Sequence, residues 1–306
     1  MKPQFGLGLA AALFATLTWG VQLPLAKDAF SAVDPFHITA ARYLLAALCL
    51  AVVLVVREGW GALSYRGQGR IAAGLGIVGI CGSPLLTFIG MSMSRAEHAV
   101  VIVTMQPMIA ALVLWLLRGL RPAPVTALCI LAAFTGVLLV VTKGSLLQLV
   151  ESPRALAGDA IVLVGAVCWV AYTMGLGRLS GWSVWRVTVL TMLPGAIMTS
   201  LITATLVGFG VLTVPGPAAI ASVGWELAYL TFIGVLAAML AWNFGTSRIG
   251  ALNATLFINC MPVVTFLYRA LQGQRFAAIE VAGAALVVGA LIANNLYLRA
   301  RHRVRA

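Results

Sequence analysis

Apolar residues run almost unbroken for about 20 positions at a time along this chain. The runs recur ten times, over residues 7–27, 35–56, 70–93, 97–117, 123–142, 157–177, 184–207, 220–243, 250–271 and 277–298. A helix of that length rises ~30 Å, the thickness of a hydrocarbon core. Barrel strands are half as long and alternate apolar with polar positions, a pattern these Leu-, Ala-, Val- and Gly-rich runs lack. The linkers are short. The longest, 143–156, carries Lys143, Glu151, Pro153 and Arg154, and none has room for a soluble domain. The run after Lys2 is too long for the apolar core of a signal peptide and is read as the first span. The pattern predicts an all-α integral membrane protein with ten transmembrane helices.

One stretch occurs twice. When Pro107 of the run starting at Glu97 is superposed on Pro262 of the run starting at Leu252, His98 falls on Asn253, Ala99 on Ala254 and Thr104 on Asn259. Each proline is followed by an apolar run ending in Gly-x-Arg, Gly119-Leu120-Arg121 and Gly273-Gln274-Arg275. A further apolar run with a late glycine follows, Gly136 and Gly289. A repeat of this length fixes architecture. It predicts two related halves, 1–145 and 146–306, in one membrane domain. Five spans per half is an odd number, so the second half enters the membrane from the opposite side. The expected fold is two inverted five-helix repeats, an arrangement common in carriers with a solute site near the midplane.

Composition agrees with the pattern. Hydrophobic residues make up 62% of the chain and charged residues 9%, against roughly 25% charged in soluble domains. The net charge of +12 does not point to nucleic acid, because the bases sit in short linkers and at the C-terminal end. One side of the expected topology holds Lys2, Arg57, Arg66, Arg70, Arg118, Arg121, Arg178, Arg186, Arg248, Arg299, Arg301, Arg303 and Arg305. The other holds Lys27, Arg95, Lys143, Arg154, Arg269 and Arg275. The richer side is expected to be cytoplasmic, with both termini there. The five cysteines lie singly within apolar runs, so neither a disulfide framework nor a metal site is expected. Nothing calls for a cofactor. Oligomeric state cannot be read, since small-residue spacings such as Gly79 to Ser83 occur in any helix bundle.

The first span ends Thr18-Trp19-Gly20-Val21-Gln22-Leu23-Pro24, the second carries Ala40-Ala41-Arg42-Tyr43, and spans four and nine hold the repeated proline stretch. Together these resemble the drug/metabolite transporter superfamily, and within it the EamA-type ten-helix permeases, over nearly the whole chain. Leu240-Ala241-Trp242-Asn243-Phe244-Gly245 is similar to the end of span eight in the YddG-type aromatic amino acid exporters. The family's usual glutamate after spans four and nine is replaced by Leu120 and Gln274. The resemblance implies a bacterial-type inner-membrane carrier that exports small molecules.

Candidate pathway residues follow from polarity and position. Pro107 and Pro262 each lie ~15 Å into a span, near the bilayer centre, where a proline frees a carbonyl and kinks the helix. Such freed groups are tolerated where protein or cavity water satisfies them. Thr255, Asn259 and Pro262 share one helix face; Thr104, Gln106 and His98 lie on the repeat-related span. Arg42 is the base well inside a span, able either to attract a substrate carboxylate or to bond carbonyls near the membrane surface. Trp19 and Trp169 hold matching places in the first span of each half, with Tyr172 three residues on. Gln22, Asn253, Trp242 and Phe244 complete the set, while Trp60, Trp182, Trp185 and Trp225 read as interfacial anchors. Pro84 is a possible bend in span three.

The carboxylates Asp28, Asp34, Glu58, Glu97, Glu151, Asp159, Glu226 and Glu280 all fall in linkers or near span ends. A proton-driven carrier needs a titratable group on its path, so transport without proton coupling is expected, with Glu97 and His98 the residues able to overturn that. No phosphate-binding loop or nucleophile–base pair is present, which argues against an enzyme. The expected partners are membrane lipid and a small-molecule substrate: amino acids, aromatic ones first, or similar amphipathic metabolites. Alternatives are a multidrug or a nucleoside or sugar carrier on the same fold, and a non-transporting membrane scaffold subunit. The path is expected chiefly between spans one, three, four, six, eight and nine.

Overall fold

The computed structural model describes residues 3–119, 121–145, 152–249, 254 and 257–305. Among them every regular element is a helix. In chain order the longer ones are α1 (Pro3–Ala29), α2 (Pro35–Glu58), α3 (Gly69–Met93), the pair α4 (Ala96–Thr104) and α5 (Gln106–Arg118), α6 (Pro124–Thr142), α7 (Pro153–Arg178), α8 (Val184–Gly208), α9 (Gly224–Ile249), α10 (Cys260–Leu271) and α11 (Ala278–Arg305). Eight of these helices are long and apolar enough to cross a membrane. A ninth crossing is the pair α4–α5, bent by 49°. The shorter α10 occupies the place expected for span nine, part of which, 250–253 and 255–256, lies outside the described residues.

Local chemistry sets the helix ends. Asp34 accepts hydrogen bonds from the amides of Phe36 and His37, and Pro35 needs no partner at the first position of α2. Ser183 caps α8 in the same way, through the Arg186 amide. Span eight differs from its expected bounds. It runs from Gly224 to Ile249, so Trp242 and Phe244 lie within the helix and do not end it. The polar run Asn243–Arg248 reads as a stop, but Asn243 bonds Thr188 of α8, and Thr246 and Ser247 bond carbonyls of their own helix.

Prolines and glycines position the helices. Pro24 lies inside α1 and leaves the Gly20 carbonyl without its usual amide donor. The Thr265 hydroxyl of α10 donates to that carbonyl instead, at 2.6 Å. In α3 the segment Gly76–Gly82 just before Pro84 is π-helical, and in α9 so is Tyr229–Ala237. Such wide turns inside α-helices cluster at functional sites. Helices α6 and α11 approach through Gly136 and Gly283: a Cβ on Gly136 would lie 2.6 Å from the Gly283 oxygen, and one on Gly283 2.7 Å from the Gly136 oxygen. Close backbone packing of this kind supplies the van der Waals contact that hydrophobicity cannot supply within lipid. Large apolar side chains such as Leu48, Val52, Leu128, Leu131, Val263 and Leu267 face outward, as lipid-facing positions do.

Candidate functional site

A cavity of about 90 Å³ opens among the helices. Its walls come from α1 (Trp19, Gln22, Leu23), α2 (Arg42, Tyr43), α3 (Ser83, Pro84, Thr87, Phe88), Val103 and Gln106 flanking the α4–α5 bend, α7 (Trp169), α9 (Gly234, Met239), and Ile258 and Met261 beside the start of α10. The sequence reading named chiefly spans one, three, four, six, eight and nine, together with Arg42 of span two; α2 contributes both Arg42 and Tyr43.

Each polar group here has a definite setting. Gly234 lies within the π-helical turn of α9, and its carbonyl accepts the Trp19 Nε1 hydrogen at 3.0 Å. With the Gln22 amide oriented to suit both neighbours, its nitrogen also donates to Gly234 O (3.0 Å) and its oxygen accepts from Arg42 Nη1 (3.3 Å). The Thr87 hydroxyl is committed to the Ser83 carbonyl of its own helix. The aromatic wall is continuous. Trp19 meets Trp169 edge-on at 6.1 Å and Trp242 at 5.4 Å, and Trp169 contacts Tyr172 at 5.4 Å.

Arg42 is the most unusual residue of the site. It is 1% exposed, and its guanidinium lies 4.1 Å from the Phe88 ring centre and 4.8 Å from that of Tyr43. Among the described residues its Nε has no hydrogen-bond partner and no carboxylate pairs with it. The position argues against bonding carbonyls at the membrane surface, one of the two roles open from sequence. Seven residues into α2, Arg42 sits ~10 Å from that helix's start.

The other candidate residues distribute around this centre. Gln106, Trp19, Gln22, Arg42, Trp169 and Pro84 line the cavity. Thr104 is fully buried and turns its hydroxyl onto the Val100 and Val101 carbonyls of its own helix. Pro107 opens the second arm of the bent pair. Tyr172 lies behind Trp169 with its hydroxyl 3.2 Å from that of Thr191, and Trp242 lies behind Trp19. Asn259 is buried beside the break before α10, and among the described residues neither amide atom has a partner; Pro262 lies three residues on, also buried. Asn253 and Thr255 fall outside the described residues. Ser83, Phe88, Gly234 and Met261 were not singled out from sequence. The available signal was the position of Ser83 and Phe88 around Pro84.

Glu97 and His98 sit elsewhere, in a charged cluster at one end of the bundle. Arg95 pairs with Glu280 at 2.7 Å and with Glu97 at 3.3 Å. Arg269 pairs with Asp28 at 2.7 Å and, more loosely, with Glu97 at 3.7 Å. Arg269 also donates to the Pro24 carbonyl, and Gln272 to Asp28. Asp159 accepts from Ser94 at 2.5 Å and faces His98 Nδ1 at 3.0 Å. Lys27 donates to the Met91 and Ser92 carbonyls. The cluster joins α1, α3, α4, α7, α10 and α11. At the opposite end, Ser183 donates to Glu58, Arg186 to the Ser64 carbonyl and Gln68 to the Ser180 carbonyl. Trp60 and Trp225 are largely exposed, whereas Trp185 stacks under Arg57 and Trp182 under Arg186. Among the described residues no group of three His, Cys, Asp or Glu is arranged to hold a metal ion.

The model of the EamA-like transporter family matches residues 6–142 and again 156–296. The chain is 31% identical over 301 residues to the uncharacterized transporter YrdR of Bacillus subtilis, covering 97% of this chain and 94% of that one. It is 30% identical over 283 residues to the uncharacterized transporter YyaM of the same organism, covering 90% of each. A solved crystal structure superposes with a TM-score of 0.66 at 21% identity, over 95% of this chain and 97% of the other. At that identity the likeness concerns the fold.

Proposed function

The chain belongs to the EamA-like transporter family, and on that premise we propose that it exports amino acids or related amphipathic metabolites, aromatic amino acids first, across the bacterial inner membrane by alternating access. The observation that carries this reading is the cavity itself. Two tryptophans and Phe88 offer apolar faces, while Arg42, Gln22 and Gln106 offer polar groups at fixed points. Sites of this composition suit a mostly apolar solute with a polar end.

The two-halves reading is supported by features at related places. Spans three and eight each contain a π-helical segment, and spans four and nine each break just before their proline. In this reading the halves rock about the cavity. The cluster of Asp28, Arg95, Glu97, Arg269 and Glu280 is the closure on the non-cytoplasmic side, and both termini are cytoplasmic. Among the described residues no Asp, Glu or His lines the cavity; in this reading the solute moves down its own gradient without a coupled proton. The test is uptake of labelled phenylalanine and threonine into liposomes holding the purified protein, with and without a pH gradient. Saturable flux that favours phenylalanine and ignores pH supports the reading. Flux that requires the gradient would replace the uncoupled mechanism and direct attention to Glu97, His98 and Asp159.

A further inference from the structure

We propose that the cavity is built for a solute of net charge −1, an apolar or aromatic monocarboxylate, and that it takes such an anion in preference to the zwitterionic amino acid of the same skeleton. This rests on the carrier reading and reverses its substrate order, placing an amphipathic anion ahead of the amino acid.

The inference starts from a charge imbalance. Arg42 is permanently cationic and 1% exposed, with no carboxylate partner among the described residues. A buried ion without a counter-ion is strongly disfavoured. Among the described residues its Nε is unpartnered, Nη1 donates to the Gln22 oxygen, and the rings of Phe88 and Tyr43 flank the fork. A planar guanidinium held this way beside a cavity presents parallel donors to a carboxylate. The site is therefore completed by an anion from outside the chain.

What the cavity offers an ammonium group is different. Among the described residues no acidic side chain lines it. The Gly234 carbonyl already accepts from Trp19 and Gln22, and the Ser83 carbonyl from Thr87. A zwitterion can pair its carboxylate with Arg42, but it brings an ammonium with no anionic partner into a desolvated, cationic space. An isosteric anion brings no such group. Leaving one polar group poorly satisfied weakens binding by about tenfold.

The charge also supplies a direction. A monovalent anion in a cell that is negative inside by about 100 mV is favoured outside by about fiftyfold. A carrier that releases the anion outward needs no proton, in keeping with a cavity free of Asp, Glu and His.

The test is a ligand series on the purified full-length protein, read by tryptophan fluorescence and by the melting midpoint. The probes share one ring and differ in their polar ends: 3-phenylpropanoate, phenylalanine, 3-phenylpropanol and phenethylammonium. The expected order is 3-phenylpropanoate tightest, phenylalanine about tenfold weaker, 3-phenylpropanol weaker again and phenethylammonium weakest. In Arg42→Gln the advantage of 3-phenylpropanoate over 3-phenylpropanol disappears, and Arg42→Lys keeps part of it. If Arg42→Gln fails to fold, the order in the unaltered protein decides. Equal or tighter binding of phenethylammonium, tighter binding of phenylalanine than of 3-phenylpropanoate, or no response to any probe overturns the inference. Phenylalanine flux without an anion preference would sink this inference and leave the carrier reading standing. Anion-first binding with no flux of any probe would do the reverse.

Discussion

The Thr265 hydroxyl donates to the Gly20 carbonyl at 2.6 Å, four residues before Pro24 interrupts the hydrogen bonding of α1. The bond ties α1 to α10 one turn from Gln22 of the cavity wall. Replacing Thr265 by valine keeps the shape and removes the donor, leaving a carbonyl unsatisfied where no water reaches it. Thr265→Val is expected to cost about 1–3 kcal/mol, and Thr265→Ser much less. Melting of the purified variants in detergent checks this; equal midpoints for valine and wild type would refute it.

The contact between Gly136 and Gly283 leaves no room for a side chain. Gly136→Val is expected to force α6 and α11 apart and to destabilise the protein by about 1–3 kcal/mol. Gly289, the late glycine of the last span, has nothing within 4 Å of an added Cβ. Gly289→Ala should leave the melting midpoint within experimental scatter. The sequence reading noted the two alike, as the late glycine of each closing span, yet of the two only Gly136 makes a close backbone approach.

Glu280 is 2% exposed and pairs with Arg95 at 2.7 Å. Removing the Arg95 charge leaves Glu280 buried and uncompensated, an effect of about 3–5 kcal/mol, whereas loss of Glu280 costs less, because Arg95 is partly exposed and keeps Glu97 as a partner. Arg95→Glu and Glu280→Arg should each lower the melting midpoint strongly, and the double reversal should recover much of the loss. Recovery absent from the double variant would show that the pair does not act as a unit.

Trp169 supplies one face of the cavity and meets Trp19 edge-on. Trp169→Leu is expected to raise the KM for phenylalanine about tenfold while changing threonine flux little, because a small solute uses less of that face. Parallel kinetics with the two amino acids separates a lost contact from a general loss of protein.

Much of the fold was legible because lipid permits few solutions. Run length alone marked nearly every helix, and the duplicated proline stretch located the breaks before Pro107 and Pro262. The charges were harder to place. Glu97 and Asp159 read as span-end carboxylates, and they are near helix ends, but sequence position gives no hint that both are buried in a cluster joining six helices. Arg42 illustrates the same limit. Its span was evident, but whether it faced the membrane surface or a cavity depended on Phe88 and Gln22, which lie on other helices. Span eight ran past its expected end because Asn243 finds Thr188 across the helix interface, a pairing that polarity along the chain cannot reveal.

The most direct measurement is flux of labelled phenylalanine into liposomes by the unaltered protein and by Arg42→Gln, at matched amounts of folded protein and without a pH gradient. With the solute carboxylate against Arg42, flux is expected to be saturable for the unaltered protein and to fall by about tenfold or more in the variant. Equal rates in the two would contradict it and place the path elsewhere in the bundle.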